Sequence, residues 1–256
     1  MVNIMKMIVI TRKHIMAASC IVLSLIMLLV GGVVSYANRE RLLPIYCVET
    51  DEKKIAISFD AAWGNDDTET LINILKEYEV PATFFVVGAW VDKYPESVKQ
   101  LSDAGHRIEN HSNSHPHMPQ LSVTQMKNEL DSCNKKIADV TGRTPTLFRP
   151  PYGDYDNNTI TAVNDNNMHC IQWSVDSLDW KDNATADSIC HRVVSKVENG
   201  SIVLFHNDAD NTPAALPQIL KTLKGQGYEF VFIEDLILKE NYEIKHDGTQ
   251  CKKDGE

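Results

Sequence analysis

The sequence predicts an α/β fold of about seven β/α units, arranged as a barrel, behind an N-terminal membrane-spanning segment. Apolar, β-rich runs alternate with helix-like stretches between residues 52 and 240, which is typical of a parallel sheet with helical crossovers. Polar clusters follow five of the strand-like runs, and α/β barrels carry their reacting groups at these carboxyl ends. An open, doubly wound sheet would show the same alternation and is the alternative architecture.

The first 37 residues predict an export signal or a membrane anchor. Basic side chains precede an uncharged run at residues 15–34, and about 20 residues make roughly 30 Å of helix, enough to span a bilayer. The positive flank predicts that the following domain lies outside the cytoplasm. Small residues at 35–37 also suit a signal peptidase, so secretion after cleavage behind Ala37 is the alternative to an uncleaved anchor.

Length and charge narrow the class of protein. The 256 residues suffice for one full-sized α/β domain and are short for two catalytic domains, and we expect a monomer. The net charge of −10, with no basic cluster behind the predicted anchor, excludes a nucleic-acid backbone as partner. No cysteine pair has CxxC or zinc-ribbon spacing, although Cys47 and Cys251 could form a disulfide in an oxidising compartment.

The predicted domain covers residues 52–240, behind a linker at 38–51 and ahead of a polar, mobile tail at 241–256. Strands are predicted near 55–59, 83–88, 107–111, 146–149, 169–175, 201–206 and 229–233, and helices near 67–79, 93–104, 122–140, 157–166, 185–198 and 213–226. The helix at 122–140 has the clearest signal, because Ser122 can cap its first turn and apolar side chains recur at spacings of three and four.

His111 and His115 follow the strand-like segment RIEN. On one helical turn, two imidazoles four residues apart face the same way with Cβ atoms about 5–6 Å apart, close enough to share a divalent ion. The pair alone is weak evidence, because such histidines are more often solvated or cap a helix, and His117 is a further candidate. Their position in a polar loop after a strand argues against a packed core role.

Asp60 ends the apolar strand IAISF and begins a loop of small residues. A carboxylate there can act as a base. The more ordinary role, capping a helix, suits Asp66 or Asp67 better, since they stand directly before the next helix. Arg149 precedes two prolines in a segment that cannot be helical, and a fixed guanidinium there would keep a carboxylate ionised. An isolated arginine more usually means a surface ion pair.

His206 ends the apolar run SIVLF. A histidine titrates near neutral pH and can donate a proton to a leaving group, although a single histidine at a strand end is more often structural. The segment from Asp176 to Trp180 adds an acid that could orient this imidazole and an aromatic side chain that could stack on a sugar ring. Together these residues predict an acid–base site.

The five clusters resemble the motifs of the polysaccharide deacetylase family, also called the NodB-homology or carbohydrate esterase family four domain. They read SFDAAWGNDD, HSNSH, RPPYG, DSLDW and LFHN, in the family's order, over about residues 52–237. The resemblance implies a distorted (β/α) barrel that removes N-acetyl groups, with the help of a metal, from the amino sugars of peptidoglycan-like or chitin-like polysaccharides. The SFDAAWG form and the predicted anchor resemble the branch found in spore-forming bacteria.

The resemblance also implies a role for each motif residue. In catalysis, the matches are the base Asp60, its tether Arg149, the general acid His206, and Asp179, which holds that acid. In binding, the matches are the metal ligands His111 and His115, the oxyanion donor at the backbone N–H of Tyr152, and the acetyl-pocket residues Trp180 and Leu204. Zinc is the expected metal, with cobalt or manganese as alternatives.

One position departs from the family's pattern. The first motif usually has two adjacent acids, and the second of them, a metal ligand, is Ala61 here. Loss of an anionic ligand weakens the hold on the ion. Asp66 or Asp67 could loop back to replace it, with Asp66 slightly favoured. The alternative to a deacetylase is therefore a non-catalytic glycan-binding domain that has lost the metal, and hydrolysis of an O-acetyl group would use the same residues.

Overall fold

The computed structural model describes residues 41–253 and, before them, residues 12, 16, 22–24, 26 and 27. The chain divides into two compact units, residues 1–41 and 42–256. Most of the predicted anchor at 15–34, and the cleavage position at Ala37, lie outside the described residues. In the part of the chain that is described, no helix is long and apolar enough to cross a bilayer. The anchor and the cleavage therefore stay predictions.

An eight-stranded sheet forms the centre of the second unit, and all of its strand pairs are parallel. In chain order, after a short strand β1 (Cys47–Val48), its strands are β2 (Lys54–Ala61), β3 (Ala82–Val86), β4 (Arg107–Asn110), β5 (Leu147–Phe148), β6 (His169–Cys170), β7 (Val175–Asp176), β8 (Ile202–His206) and β9 (Glu229–Phe230). They lie in the order β6-β5-β4-β3-β2-β8-β7, and β9 pairs with β2 beside this path.

This strand order follows the chain around a curled sheet. Each strand from β2 to β6 pairs with the next one in sequence, and β7 and β8 return on the other side of β2. Successive strands therefore advance in one rotational sense, whereas a doubly wound sheet would reverse direction from its centre. The architecture is a curled, parallel half-barrel with helices, which agrees with the predicted distorted (β/α) barrel.

Helices connect most successive strands. They are α1 (Thr68–Glu77), α2 (Gly88–Lys93), α3 (Pro95–Asp103), α4 (Val123–Thr141), α5 (Asn157–Asp165), α6 (Ala186–Lys196), α7 (Thr212–Gly225) and α8 (Ile233–Leu236). Ser122 caps α4 in a capping box with Gln125. The predicted helix at 93–104 starts later, because Pro95 begins a new first turn after α2.

One predicted strand is wrong in its middle. The run 169–175 is split into β6 and β7, because the chain changes hydrogen-bond partner between them: Ile171 N–H donates to Phe148 O, whereas Ser174 N–H donates to Ile202 O. Likewise, the strand expected at 229–233 ends at Phe230. A continuous apolar run thus predicts that a segment is buried, but it does not predict with which neighbouring strand the backbone pairs.

The predicted tail is also structured. Strands β10 (Tyr242–Ile244) and β11 (Thr249–Lys252) form a three-stranded sheet with β1, in the order β1-β11-β10. The polar residue Gln250 is buried there, because its amide accepts from the Leu238 N–H at 2.8 Å and donates to the Leu238 carbonyl at 2.7 Å. Cys47 and Cys251 are free thiols in this sheet, so no disulfide joins them.

Candidate active site

The five polar clusters lie at the carboxyl ends of five parallel strands. Asp60 is in β2 and His206 ends β8, and the two residues are direct partners in the pairing of these strands. The clusters at His111 and Arg149 directly follow β4 and β5, and the cluster at Asp176 begins at the last residue of β7. The parallel register therefore brings groups far apart in sequence to one rim, as the strand-end pattern predicts.

A cavity of about 320 Å³ opens at this rim. Its lining residues are Asp60, Ala62, Trp63, His111, His115, Tyr152, Trp173, Asp176, Trp180, Leu204 and His206. Two further predicted site residues, Arg149 and Asp179, lie behind the lining and are hydrogen-bonded to Asp60 and His206. The structure thus brings nine of the predicted site residues together.

A buried arginine holds Asp60. Arg149 is fully buried, its Nη1 donates to Asp60 Oδ1 at 2.8 Å, and its Nη2 donates to Ser58 Oγ at 2.9 Å. Burial by itself would raise the pKa of Asp60, but the charges of Arg149, His111 and His206 outweigh burial and hold that pKa below its usual range. Asp60 is therefore an ionised carboxylate, fixed in orientation and able to accept a proton.

A buried carboxylate holds His206. The imidazole Nδ1 lies 2.8 Å from Asp179 Oδ1, and Asp179 Oδ2 accepts from the His206 backbone N–H and from the Thr212 hydroxyl. Burial disfavours the charged imidazolium, yet the hydrogen bond and charge of Asp179 outweigh that effect and raise the pKa of His206. With Nδ1–H donated to Asp179, the opposite nitrogen, Nε2, is the one that can carry a second proton to a substrate.

His111 and His115 are neighbours in space, but the predicted helical turn is wrong. They lie in a loop in which Ser112 and His115 have positive φ angles of 69° and 60°, and these kinks bring the two ring centroids to 5.1 Å. His111 Nδ1 lies 2.7 Å from the Arg149 carbonyl, so its Nε2 keeps a free lone pair. Within the described residues, the buried Nδ1 of His115 has no hydrogen-bond partner.

These residues fit a divalent ion as a pair of imidazole ligands. Burial lowers the pKa of His111 and lowers that of His115 to about 4, so both rings are neutral, the form that binds a metal. The family's carboxylate position is Ala61, whose methyl group lies in the apolar core. No group of three or more His, Cys, Asp or Glu side chains in residues 41–253 is arranged to hold an ion.

Neither acid of the following loop lies in the cavity. Asp66 is exposed, and Asp67 is half-buried at the N-terminus of α1. The Asp67 carboxylate accepts a hydrogen bond from the Asp208 backbone N–H at 2.9 Å. Neither side chain belongs to the cavity lining, so the structure does not bring Asp66 to the histidine pair.

The loop after β5 supplies a strained aromatic residue. Tyr152 has a positive φ of 61°, which is unusual for a bulky side chain and is found mainly at functional sites. Its ring contacts His115 edge-on and stacks on His117, with centroids 4.5 and 4.2 Å away. His117 is further engaged by Asp154, 3.0 Å from its Nδ1, so His117 is a support for Tyr152 in this arrangement.

Sequence reasoning missed several residues that shape the site. Ser58 could have been found, because it lies two residues before Asp60 and so on the same face of β2. Thr212, which donates to Asp179, gives no local signal of its role. Trp63 and Trp173 line the cavity and have no counterpart among the predicted site residues.

Known proteins resemble this chain in sequence and in fold. The family model for polysaccharide deacetylase matches residues 48–171. The peptidoglycan-N-acetylmuramic acid deacetylase PdaA of Bacillus subtilis is 32% identical over 78% of this chain and 77% of its own length. The peptidoglycan-N-acetylglucosamine deacetylase PgdA of Listeria monocytogenes is 37% identical over 72% of this chain, which spans only 39% of PgdA.

A solved structure adds a contrasting relative. BA3943 of Bacillus anthracis, described as a CE4 family pseudoenzyme, is 34% identical, with a TM-score of 0.74 over 77% of this chain and 69% of its own. A mutant of BA3943 is described as having restored enzymatic activity. The chain is therefore similar both to named deacetylases and to a protein described as a pseudoenzyme.

Proposed function

Because the chain belongs to the polysaccharide deacetylase family, we propose that it hydrolyses the N-acetyl amide, a carbon–nitrogen bond other than a peptide bond, on amino sugars of a peptidoglycan-like or chitin-like polysaccharide. The observation that carries the proposal is the pair Asp60–Arg149 and His206–Asp179, which present a base and an acid to one cavity from adjacent strands. A domain that only binds glycans has no need of this arrangement.

In the proposed reaction, Asp60 takes a proton from the attacking water. Arg149 keeps Asp60 ionised and fixes its orientation. The backbone N–H of Tyr152 stabilises the oxyanion that develops on the acetyl carbonyl. His206, held by Asp179, then protonates the departing sugar amine, and acetate and the free amine leave.

His111 and His115 would hold the divalent ion, with zinc first and cobalt or manganese as alternatives. When bound, such an ion supplies polarisation of the acetyl carbonyl and a lowered pKa for water. Trp180 and Leu204 line the cavity that would receive the acetyl methyl group. With two imidazoles and no carboxylate, we expect weak zinc binding compared with a three-ligand site.

A glycan-binding domain without catalysis is the second candidate. Ala61 favours it, because no third protein ligand is present among the described residues, and BA3943 shows that the family includes pseudoenzymes.

We propose in either case that the domain acts outside the cytoplasm, behind a spore-former-type N-terminal anchor. Fractionation of cells that produce the full chain tests that location: recovery of the protein in the cytoplasm alone would contradict it.

The deciding experiment uses the full chain, purified in detergent. Metal content and acetate release are measured on peptidoglycan and on N-acetylglucosamine oligomers, with and without added zinc. Metal-dependent acetate release supports the deacetylase. Oligomer binding without acetate release at saturating zinc supports the binding domain and contradicts the first proposal.

A further inference from the structure

We infer that Trp63 is a stacking platform for a second sugar residue, and that the ligand of this protein is an oligosaccharide that fills two adjoining cavities. The inference rests on the proposed function only in taking a glycan as the occupant, so it holds for an enzyme and for a binding domain alike. Its consequence is that a single N-acetylated sugar uses only half of the binding surface.

The indole of Trp63 is exposed, but the backbone that carries it is fixed. Trp63 is 66% exposed, which is high for so large an apolar side chain. Both of its neighbours in the chain are tied to the loop after β8: Ala62 N–H donates to Asn207 Oδ1, and Gly64 N–H donates to Asp208 Oδ2. A Cβ on Gly64 would lie 2.2 Å from the Asp208 carboxylate, so the two loops approach each other closely at this point. Because the backbone at Trp63 is already fixed, stacking of a ligand on this ring costs no ordering of the loop.

A second cavity, of about 250 Å³, adjoins the first. Trp63, Trp180 and His206 line both cavities, so the two meet between these side chains. When the reacting sugar lies beside His206, its neighbour along the glycan enters the second cavity past Trp63. Pyranose faces are apolar and stack on aromatic rings, and Trp63 offers such a ring at the junction.

The charged side chains around the second cavity determine which oligosaccharide is suitable for a binding test. Besides Asp179, which is paired with His206, its lining contains the acidic side chains of Asp182, Asp208 and Asp210 and the basic side chain of Lys181. A sugar that bears a carboxylate would be repelled there, whereas a neutral one would not. Neutral N-acetylglucosamine oligomers are therefore the appropriate ligands for the test.

The test compares the binding of N-acetylglucosamine and of its tetramer by calorimetry. It uses the full chain after metal removal, so that hydrolysis cannot contribute and a lack of deacetylase activity would not affect the result. We expect the tetramer to bind more tightly than the monosaccharide. Trp63→Ala should lower tetramer affinity roughly 5- to 10-fold and monosaccharide affinity much less, and Trp63→Phe should retain most of the tetramer affinity.

Two further variants complete the test. Ala209→Phe should narrow the second cavity and weaken only tetramer binding, whereas Val123→Ala, a change at an exposed apolar side chain outside both cavities, should have no effect. Because the Trp63 ring contacts His115, zinc content is measured separately. Equal tetramer affinity in wild type and folded Trp63→Ala, equal losses for both ligands, or a wild type without preference for the tetramer would each overturn the inference.

Discussion

At the scale of single residues, the first motif has an alanine at the position where the family's pattern has a second acid. Ala61 ends β2 beside Asp60, and its side chain is fully buried. Asp60 is already paired with Arg149, and its other oxygen, Oδ2, lies 3.6 Å from His111 Nε2. The carboxylate beside His111 is therefore the same one that is proposed as the base.

Ala61→Asp should tighten zinc binding by about tenfold or more, because it supplies the anionic oxygen that the site lacks. Zinc titration of the metal-free protein measures this. Ala61→Asn is the matched control, since it adds similar volume without charge. A folded Ala61→Asp protein with wild-type zinc affinity would contradict the prediction that a carboxylate at this position supplies a further ligand.

In the same titration, Asp66→Ala should leave zinc affinity unchanged, because Asp66 is exposed and outside the cavity. A marked loss of affinity would show that the loop rearranges and that Asp66 is the third ligand.

His206→Ala should reduce turnover by about 10² to 10⁴, the usual effect of losing a general acid, with zinc content unchanged. Steady-state acetate release and metal analysis of the same preparation check both parts. Asp179→Asn should give a smaller loss, because it keeps the side chain's shape while removing the charge that raises the pKa of His206. Wild-type turnover in His206→Ala would remove this residue from the mechanism.

At the scale of elements, a buried, uncharged histidine directly precedes strand β4. The ring of His106 packs against Phe84 of β3 at a tilt of 53°, with centroids 5.5 Å apart, and burial lowers the pKa of its imidazole from 6.5 to about 4. In the unfolded chain this ring takes up a proton below pH 6.5, whereas in the folded protein it stays neutral until about pH 4. Its contribution to stability is therefore complete above pH 6.5 and is lost progressively as the pH falls towards 4.

His106→Phe should remove that part of the acid sensitivity, which amounts to about 2 kcal/mol at pH 5. Thermal unfolding at pH 7.5 and pH 5 measures the difference for wild type and variant. His246→Phe, at an exposed histidine, is the control. An equal loss of stability on acidification in wild type and His106→Phe would contradict the prediction.

The junction of β1 with the barrel depends on one glycine. Gly200 has a φ of +76°, and a Cβ there would lie 1.7 Å from the Val48 carbonyl oxygen. Gly200→Ala should destabilise the protein by roughly 2 kcal/mol through backbone strain and this clash. Gly225→Ala, at the end of α7 with nothing within 4 Å of the added methyl group, should be neutral or slightly stabilising. Thermal unfolding of the two variants measures the loss of stability caused by each substitution. Equal losses would contradict the predicted strain at Gly200.

At the scale of the whole molecule, the N-terminal and C-terminal segments of the domain close on each other. Strand β11 pairs in parallel with β1, and Val48 and Cys251 are buried in this arrangement. The segments expected to be a linker and a mobile tail thus contribute to the folded domain.

Deletion of residues 241–256 should therefore lower stability by roughly 3 kcal/mol or more, because it exposes apolar side chains and leaves β1 without its partner. Deletion of 254–256 alone is the control, and thermal unfolding of the full chain is the reference. An unchanged unfolding temperature in the longer deletion would show that this sheet contributes nothing to stability.

The sequence by itself determined the fold class, the rim of the sheet that carries the candidate site and most residues of that site. It could do so because the carboxyl ends of parallel strands meet at one edge. Once Asp60 and His206 are recognised as residues at strand ends, their proximity in space follows. Only the tertiary structure decided that Asp66 lies outside the cavity, that Thr212 supports Asp179, that Gln250 is buried, and that Trp63 borders two cavities. These features depend on contacts between segments far apart in the chain, and local periodicity and composition carry no record of such contacts.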